Sequence, residues 1–232
     1  ATALLLEERV PSSAALVNIP VAEMVRAGAT ESDLDGSEYV GIVDGARRVH
    51  LLGGGQLTTV LTGHGSGYTA WKGHDINRFR EDTTLGCGGS YAYVRDLSTQ
   101  RLWSAGYQPT HAKPDSYQAS FHIDRVEFHR RDGAIETLTE VVLSPEFPAE
   151  VRRFTLINHD SVPHSLDLTT YLELALAPRA ADRTHQAFNS MFIETEALPM
   201  KGAILARRRP RNTHEEPVWV AQILTGEGDG IG

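Results

Sequence analysis

The sequence predicts a mainly β chain: a large antiparallel two-layer β-sandwich with an irregular or short helical N-terminal extension. Three observations predict it. Apolar residues recur with period two from Arg47 onward, the mark of strands that bury one face. The strand-like runs are separated by Gly, Pro, Asn, Asp and Ser clusters at intervals of about 8 to 14 residues. Amphipathic helical periodicity is nearly absent, and strands without crossover helices pair antiparallel in packed sheets.

Residues 1–45 combine a short helical stretch, Leu4 to Arg9, with a proline and a run of Ala, Gly, Ser and Asp. We assign them to an extension or linker and begin the sandwich at residue 46. Strands follow in "SYAYVRD", "SYQASFHIDRVEFHRRDG", "AIETLTEVVLS" and "EVRRFTLINHD". Asp132-Gly133 lies between two of these runs and signals a hairpin, because both residues tolerate the positive φ of tight turns. Asp96 to Gln100 and Asn158 to Pro163 are expected as longer turns. The cleanest alternation is in "SLDLTTYLELALAP", where Leu166, Leu168, Leu172, Leu174 and Leu176 share one side. A helical or irregular interruption is expected at Pro178 to Asn189.

The stretch "GSGYTAWKGHDINRFRED", residues 65–82, departs from this pattern. Gly65, Gly67 and Gly73 each cost about 1 kcal/mol against alanine inside a helix. We expect a loop between strands, the kind of element that carries binding residues on a rigid scaffold.

Composition narrows the function classes. The 232 residues carry a formal net charge of -8, which disfavours a nucleic-acid backbone as the main partner. Cys87 is the single cysteine, so an internal disulfide is excluded and a reducing, cytoplasmic setting is the default. The apolar triplet Leu4 to Leu6 is far short of the ~18 residues a membrane-spanning helix needs. The chain begins without methionine and ends in "LTGEGDGIG", so we expect a piece of a longer protein.

Most sharp motifs fail on spacing. The glycine clusters at 53–55 and 63–67 precede no helical pattern, and Lys72 is followed by glycine, so a phosphate-cradling loop is not supported. Ten histidines show no His-x-His pair and no His-Glu-x-x-His. "GHGSG" puts glycine where a serine nucleophile would stand. The basic run "ARRRPR", 206–211, fits a solvated loop or a contact with another domain. Paired carboxylates meet in space rather than in sequence, and Asp75, Glu81, Asp82 and Asp96 are not marked out among the acids. No catalytic residue and no metal ligand is assigned.

One constellation remains. Tyr68, Trp71, Arg78, Arg80 and Glu81, supplemented by Gln108, combine aromatic faces with hydrogen-bonding tips. Sugar rings have apolar C–H faces that lie on aromatic rings and hydroxyls that pair with Arg, Glu and Gln, so the mixture suits a carbohydrate. The alternative is that Trp71 and Trp103 are sandwich core and the arginines pair locally.

The tracts "GSGYTAW", "INRFRED", "GGSYAYVRDLSTQRLWSAGYQPT" and "EVRRFTLINHDSVPHSLDLTTYLELAL", in that order, resemble the N-terminal β-sandwich, or supersandwich, of the cellobiose and chitobiose phosphorylase family. The likeness extends from about Arg47 to Leu224 and is nearest to the corresponding region of bacterial cyclic β-1,2-glucan synthases. The resemblance implies an accessory, carbohydrate-binding sandwich packed against an (α/α)6 barrel of the same or a neighbouring chain, with β-glucan oligosaccharide as partner and homodimers as one assembly. It implies inverting phosphorolysis or transfer on a β-glucoside, with the general acid in the barrel and no cofactor besides inorganic phosphate in the full-length enzyme. It also implies a soluble cytoplasmic domain of a longer, inner-membrane protein. No run after Leu224 supplies a barrel, so the chain alone is expected to be catalytically silent.

In the phosphorylases an Arg-x-Arg stretch on a sandwich loop reaches the barrel mouth of a dimer mate and shapes the acceptor subsite. The match here is Asn77-Arg78-Phe79-Arg80, so the resemblance implies a lip over a neighbouring active site. Phe79 stands where the family carries tyrosine, and Glu81-Asp82 replaces a more neutral continuation. The rival expectation is a structural packing or dimerisation module that touches no sugar.

Overall fold

The computed structural model describes residues 38–41, 49–78, 89–210, 215 and 217–226. The expected extension over residues 1–37 lies outside them, as do Arg80, Glu81 and Cys87. Strands are the dominant regular element of the described chain. In order these are β1 (Glu38–Gly41), β2 (Val49–Gly54), β3 (Leu57–Thr62), β4 (Gly67–Trp71), β5 (His74–Asn77), β6 (Ser90–Asp96), β7 (Leu102–Ser104) and β8 (Ser116–Phe121). There follow β9 (Arg125–Asp132), β10 (Ile135–Leu143), β11 (Glu150–Asn158), β12 (Leu166–Leu172) and β13 (Leu174–Ala177). Two short helices, α1 (Arg179–Thr184) and α2 (Gln186–Ser190), precede β14 (Ile193–Leu198), β15 (Ala203–Arg208) and β16 (Trp219–Ile223).

These strands form four antiparallel sheets, in the orders β1-β8-β9-β10-β11, β12-β6-β7, β13-β5-β4-β3-β2 and β14-β15-β16. The alternation that predicts them is visible in their burial: β10 alternates buried and half-buried positions through Val141, and β3 does so over its whole length. Packing follows from which faces are apolar. Leu52 and Leu61 of the β2–β3 pair meet Tyr117, Ala119, Phe121, Val126, Phe128 and Val141 of the β1-to-β11 sheet. Val94 and Trp103 meet Ile135, with Leu156, Leu166 and Leu168 packed around them. Removing a Val, Leu or Phe side chain from water contributes about 1.5–3 kcal/mol, so these two clusters hold the layers together.

The hairpin at Asp132-Gly133 is present, with Asp132 opposite Ile135 and Gly133 at φ +62 in the first turn position. Pro178 to Asn189 is interrupted as expected, by α1 and α2. Three expectations are corrected. The sandwich takes in β1, which pairs with β8, so its sheet begins inside the stretch assigned to the extension. Residues 65–78 are not a loop: β4 and β5 form a hairpin, with Trp71 opposite His74. The glycines read as loop formers instead solve local problems of this hairpin. At Gly67, φ is +153 and a Cβ would stand 1.9 Å from the Val60 carbonyl oxygen.

The third correction concerns the leucine run. It is one strand in alternation but two in pairing: β12 pairs with β6, then after Glu173 the chain continues as β13 beside β5 in a different sheet. Leu176, at φ +48, marks the irregularity, and Ala175, Leu176 and Ala177 are all fully buried. Period two cannot report such a change of partner, because it depends only on side-chain direction.

Candidate functional site

The hairpin distributes the predicted residues rather than gathering them. Successive side chains of a strand point to opposite faces, so Tyr68 and Trp71, three apart on β4, face opposite sides of the sheet and cannot form one stacking surface. Tyr68 is covered: the Arg179 guanidinium carbon lies 4.0 Å from its ring centroid. Arg179 in turn donates Nε and Nη2 to the two carboxylate oxygens of Asp75 at 2.8 and 3.1 Å. Trp71 is half-buried on the other face, beside Ile76 and Leu176.

Arg78 does not open its fork to solvent, because the fold encloses it. Its Nε and Nη2 donate to Asp182 at 2.8 Å each, Nη1 donates to Glu173 at 2.7 Å, and Nη2 also reaches the Ser190 hydroxyl at 3.2 Å. The hydrogen bonds it donates to Asp182 and Glu173 raise its pKa against the opposing effect of burial. Asn189 extends this hub: its Nδ2 donates to Asp182 at 2.8 Å, and its Oδ1 accepts from Arg208 Nε at 2.9 Å. Arg208, from the "ARRRPR" run, also pairs with Glu215. Thus β5, Glu173 between β12 and β13, α1, α2 and β15 meet in one buried polar cluster.

Gln108 is also turned inward. It is 8% exposed, its backbone N–H donates to the His64 carbonyl at 2.9 Å, and its Oε1 has no hydrogen-bond partner among the described residues. The loop around it is held by Arg130, which donates to the Gly106 and Ala112 carbonyls at 2.7 and 2.8 Å and forks onto Asp132 at 2.6 and 3.0 Å. Trp103 is core, as the alternative reading had it. Among the acids named from sequence, Asp75 serves Arg179. Asp96 caps the β6–β7 turn through Ser98 and Thr99, with the Ser98 hydroxyl the leading cause that holds its carboxyl far below the usual range. Among the described residues no group of three His, Cys, Asp or Glu side chains could hold a metal ion.

A site that sequence reasoning missed lies where the four sheets converge. Strands β4, β5, β6, β11, β12 and β16 border a cleft of about 440 Å³. Trp71, Phe154, Leu172 and Val220 give it apolar walls, while Thr69, Asn77, Glu150, Arg152, Thr170 and Gln222 give it polar ones. Glu150 Oε2 accepts from the hydroxyls of Thr59 and Thr69 at 2.6 and 2.7 Å, and Oε1 accepts from Arg152 Nε at 2.6 Å. Burial alone would push the Glu150 carboxyl up, but the Arg152 charge and the hydroxyl bonds together hold it below its ordinary value of 4.5. The signal was present in the sequence: Glu150-x-Arg152 and Arg130-x-Asp132 each put opposite charges two apart on a strand, hence on one face.

Comparison with known proteins agrees with the architecture. Residues 42–231 match the family described as glycosyl hydrolase 94, supersandwich domain. The chain is 30% identical over 232 residues to the cyclic β-(1,2)-glucan synthase NdvB of Rhizobium meliloti (strain 1021), covering 97% of this chain and 8% of that protein. It is 31% identical over 91 residues to a 3-O-β-D-glucopyranosyl-β-D-glucuronide phosphorylase of Paenibacillus borealis, covering 39% of this chain and 12% of the relative. It is 28% identical over 144 residues to an N,N'-diacetylchitobiose phosphorylase of Vibrio furnissii, covering 59% and 18%. The chain therefore spans less than a fifth of the length of each of these relatives. With sheets, core and matched span in agreement, the chain belongs to the supersandwich domain family of glycosyl hydrolase 94.

Proposed function

We propose that this chain is the accessory β-sandwich of an enzyme acting on β-glucans, where it supplies carbohydrate contacts on the acceptor side of an active site housed in an (α/α)6 barrel. The relatives' names support the substrate class: one is a glucan synthase and two are phosphorylases of β-linked or chitobiose-type saccharides. The observation that carries the reading is the buried Arg78 hub. Arg78 is the last described residue before the segment that contains Arg80 and Glu81, and it is tied to Asp182 and Glu173 at 2.8 and 2.7 Å. A segment that is to meet a sugar in a neighbouring site needs such a fixed root, since each 1 Å of misplacement is costly to a positioned contact. In this reading Arg80 and Glu81 form the lip, Arg78 positions it, and the general acid and any inorganic phosphate belong to the barrel.

The test is Arg80→Ala in the full-length enzyme, with acceptor use and product profile as readouts. Impaired acceptor use with the sandwich intact is expected. An unchanged profile would favour the second reading, a packing or dimerisation module without sugar contact, which the inward placement of Arg78 and Gln108 supports.

A further inference from the structure

The inter-sheet cleft is lined by described residues of this chain. Arg152 spends Nε on Glu150 and Nη1 on the Ser90 carbonyl at 2.6 Å, while its Nη2 has no hydrogen-bond partner among the described residues. That leaves a fixed guanidinium edge with donors to spare, held in place by a carboxylate. Also lining the cleft, Gln222 Nε2 donates to the Thr170 hydroxyl at 2.8 Å, so the Thr170 hydrogen and the Gln222 carbonyl oxygen stay available to a ligand. The Trp71 ring lies under the Lys72 ammonium, 4.7 Å from its centroid. Lys72 is exposed and can swing off that face.

The charge balance selects the ligand class. Glu150 and Arg152 neutralise each other, and the chain as a whole is at -8, so an anion gains little in the cleft. A purely apolar ligand would leave the Arg152 donors unpaired, which costs free energy when they are desolvated. A neutral pyranose satisfies both conditions: its C–H face covers an indole and its hydroxyls accept from a guanidinium and exchange hydrogen bonds with an amide and a hydroxyl. We propose that this cleft is a second carbohydrate site, taking one or more glucose units of a β-linked glucan between Trp71 and the Arg152, Thr170 and Gln222 groups. The proposal rests on the reading that the domain meets β-glucan, but not on the lip.

Calorimetric titration of the 232-residue chain with short β-1,2-linked gluco-oligosaccharides tests it, with Trp71→Ala and Gln222→Ala compared after thermal melts establish that each is folded. Binding by the wild type, weakened at least about tenfold by Trp71→Ala and measurably by Gln222→Ala, is expected. If Trp71→Ala does not fold, Gln222→Ala alone decides. Absence of wild-type binding, or binding that survives the cleft variants, overturns the cleft site. Displacement of the sugar by inorganic phosphate overturns the assignment to a neutral ligand. The lip reading is judged separately, by Arg80→Ala in the full-length enzyme.

Discussion

Arg78 and Asp182 lie 104 residues apart in sequence and share two parallel hydrogen bonds of 2.8 Å each, with both side chains 6% exposed. The pair joins the end of β5 to α1 in a geometry that only a planar fork can match. Arg78→Ala would leave the Asp182 carboxylate buried with Asn189 as its remaining side-chain partner among the described residues. We expect a stability loss of about 3–5 kcal/mol, read as a lower urea midpoint. Arg78→Lys should recover only part of it, because an ammonium cannot reach Asp182 bidentately and Glu173 at once.

Gly67 offers a sterically defined contrast. A Cβ there would meet the Val60 carbonyl at 1.9 Å inside the β3–β4 ladder, whereas one at Gly53 would meet nothing within 4 Å. Gly67→Ala should therefore cost about 3 kcal/mol or more, through displaced backbone. Gly53→Ala should stay within about 0.5 kcal/mol of wild type. Thermal melts of the two variants side by side check the difference.

Glu150 links the cleft to pH. Its folded pKa lies below the ordinary 4.5, so the stability it contributes is present above that value and is lost as pH falls through the folded pKa. Glu150→Gln should flatten the acid limb of a stability-versus-pH curve below about pH 4.5. Above that pH it should be the less stable protein, because Arg152 then loses its counter-charge. Urea denaturation at a series of pH values reads both effects.

The sandwich was legible because alternation is a local property: the faces of β3, β10 and β11 can be read from residues a few positions apart. The hairpin at Gly133 was legible for the same reason. The fate of the leucine run was not, since whether Leu174 pairs with β6 or β5 depends on partners about 80 to 100 residues away, whose approach no spacing encodes. The candidate site was legible as chemistry and not as geometry. Trp71 does border a cleft, but Tyr68 belongs to the other face and Arg78 to the interior, because turn glycines set the hairpin register and the half-buried Glu173 and buried Asp182 claimed the guanidinium. Glu150 and Arg152 were passed over although their two-residue spacing was in plain view. A charged pair on a strand gives no hint of which sheet will close over it.

At Glu173 the polypeptide quits one sheet and enters another within a single residue, whose carbonyl and carboxylate both grip Arg78. Sliding one of these sheets past the other would have to break both of those bonds. A twist applied to the β12 sheet is therefore passed on to the β5 sheet through this junction.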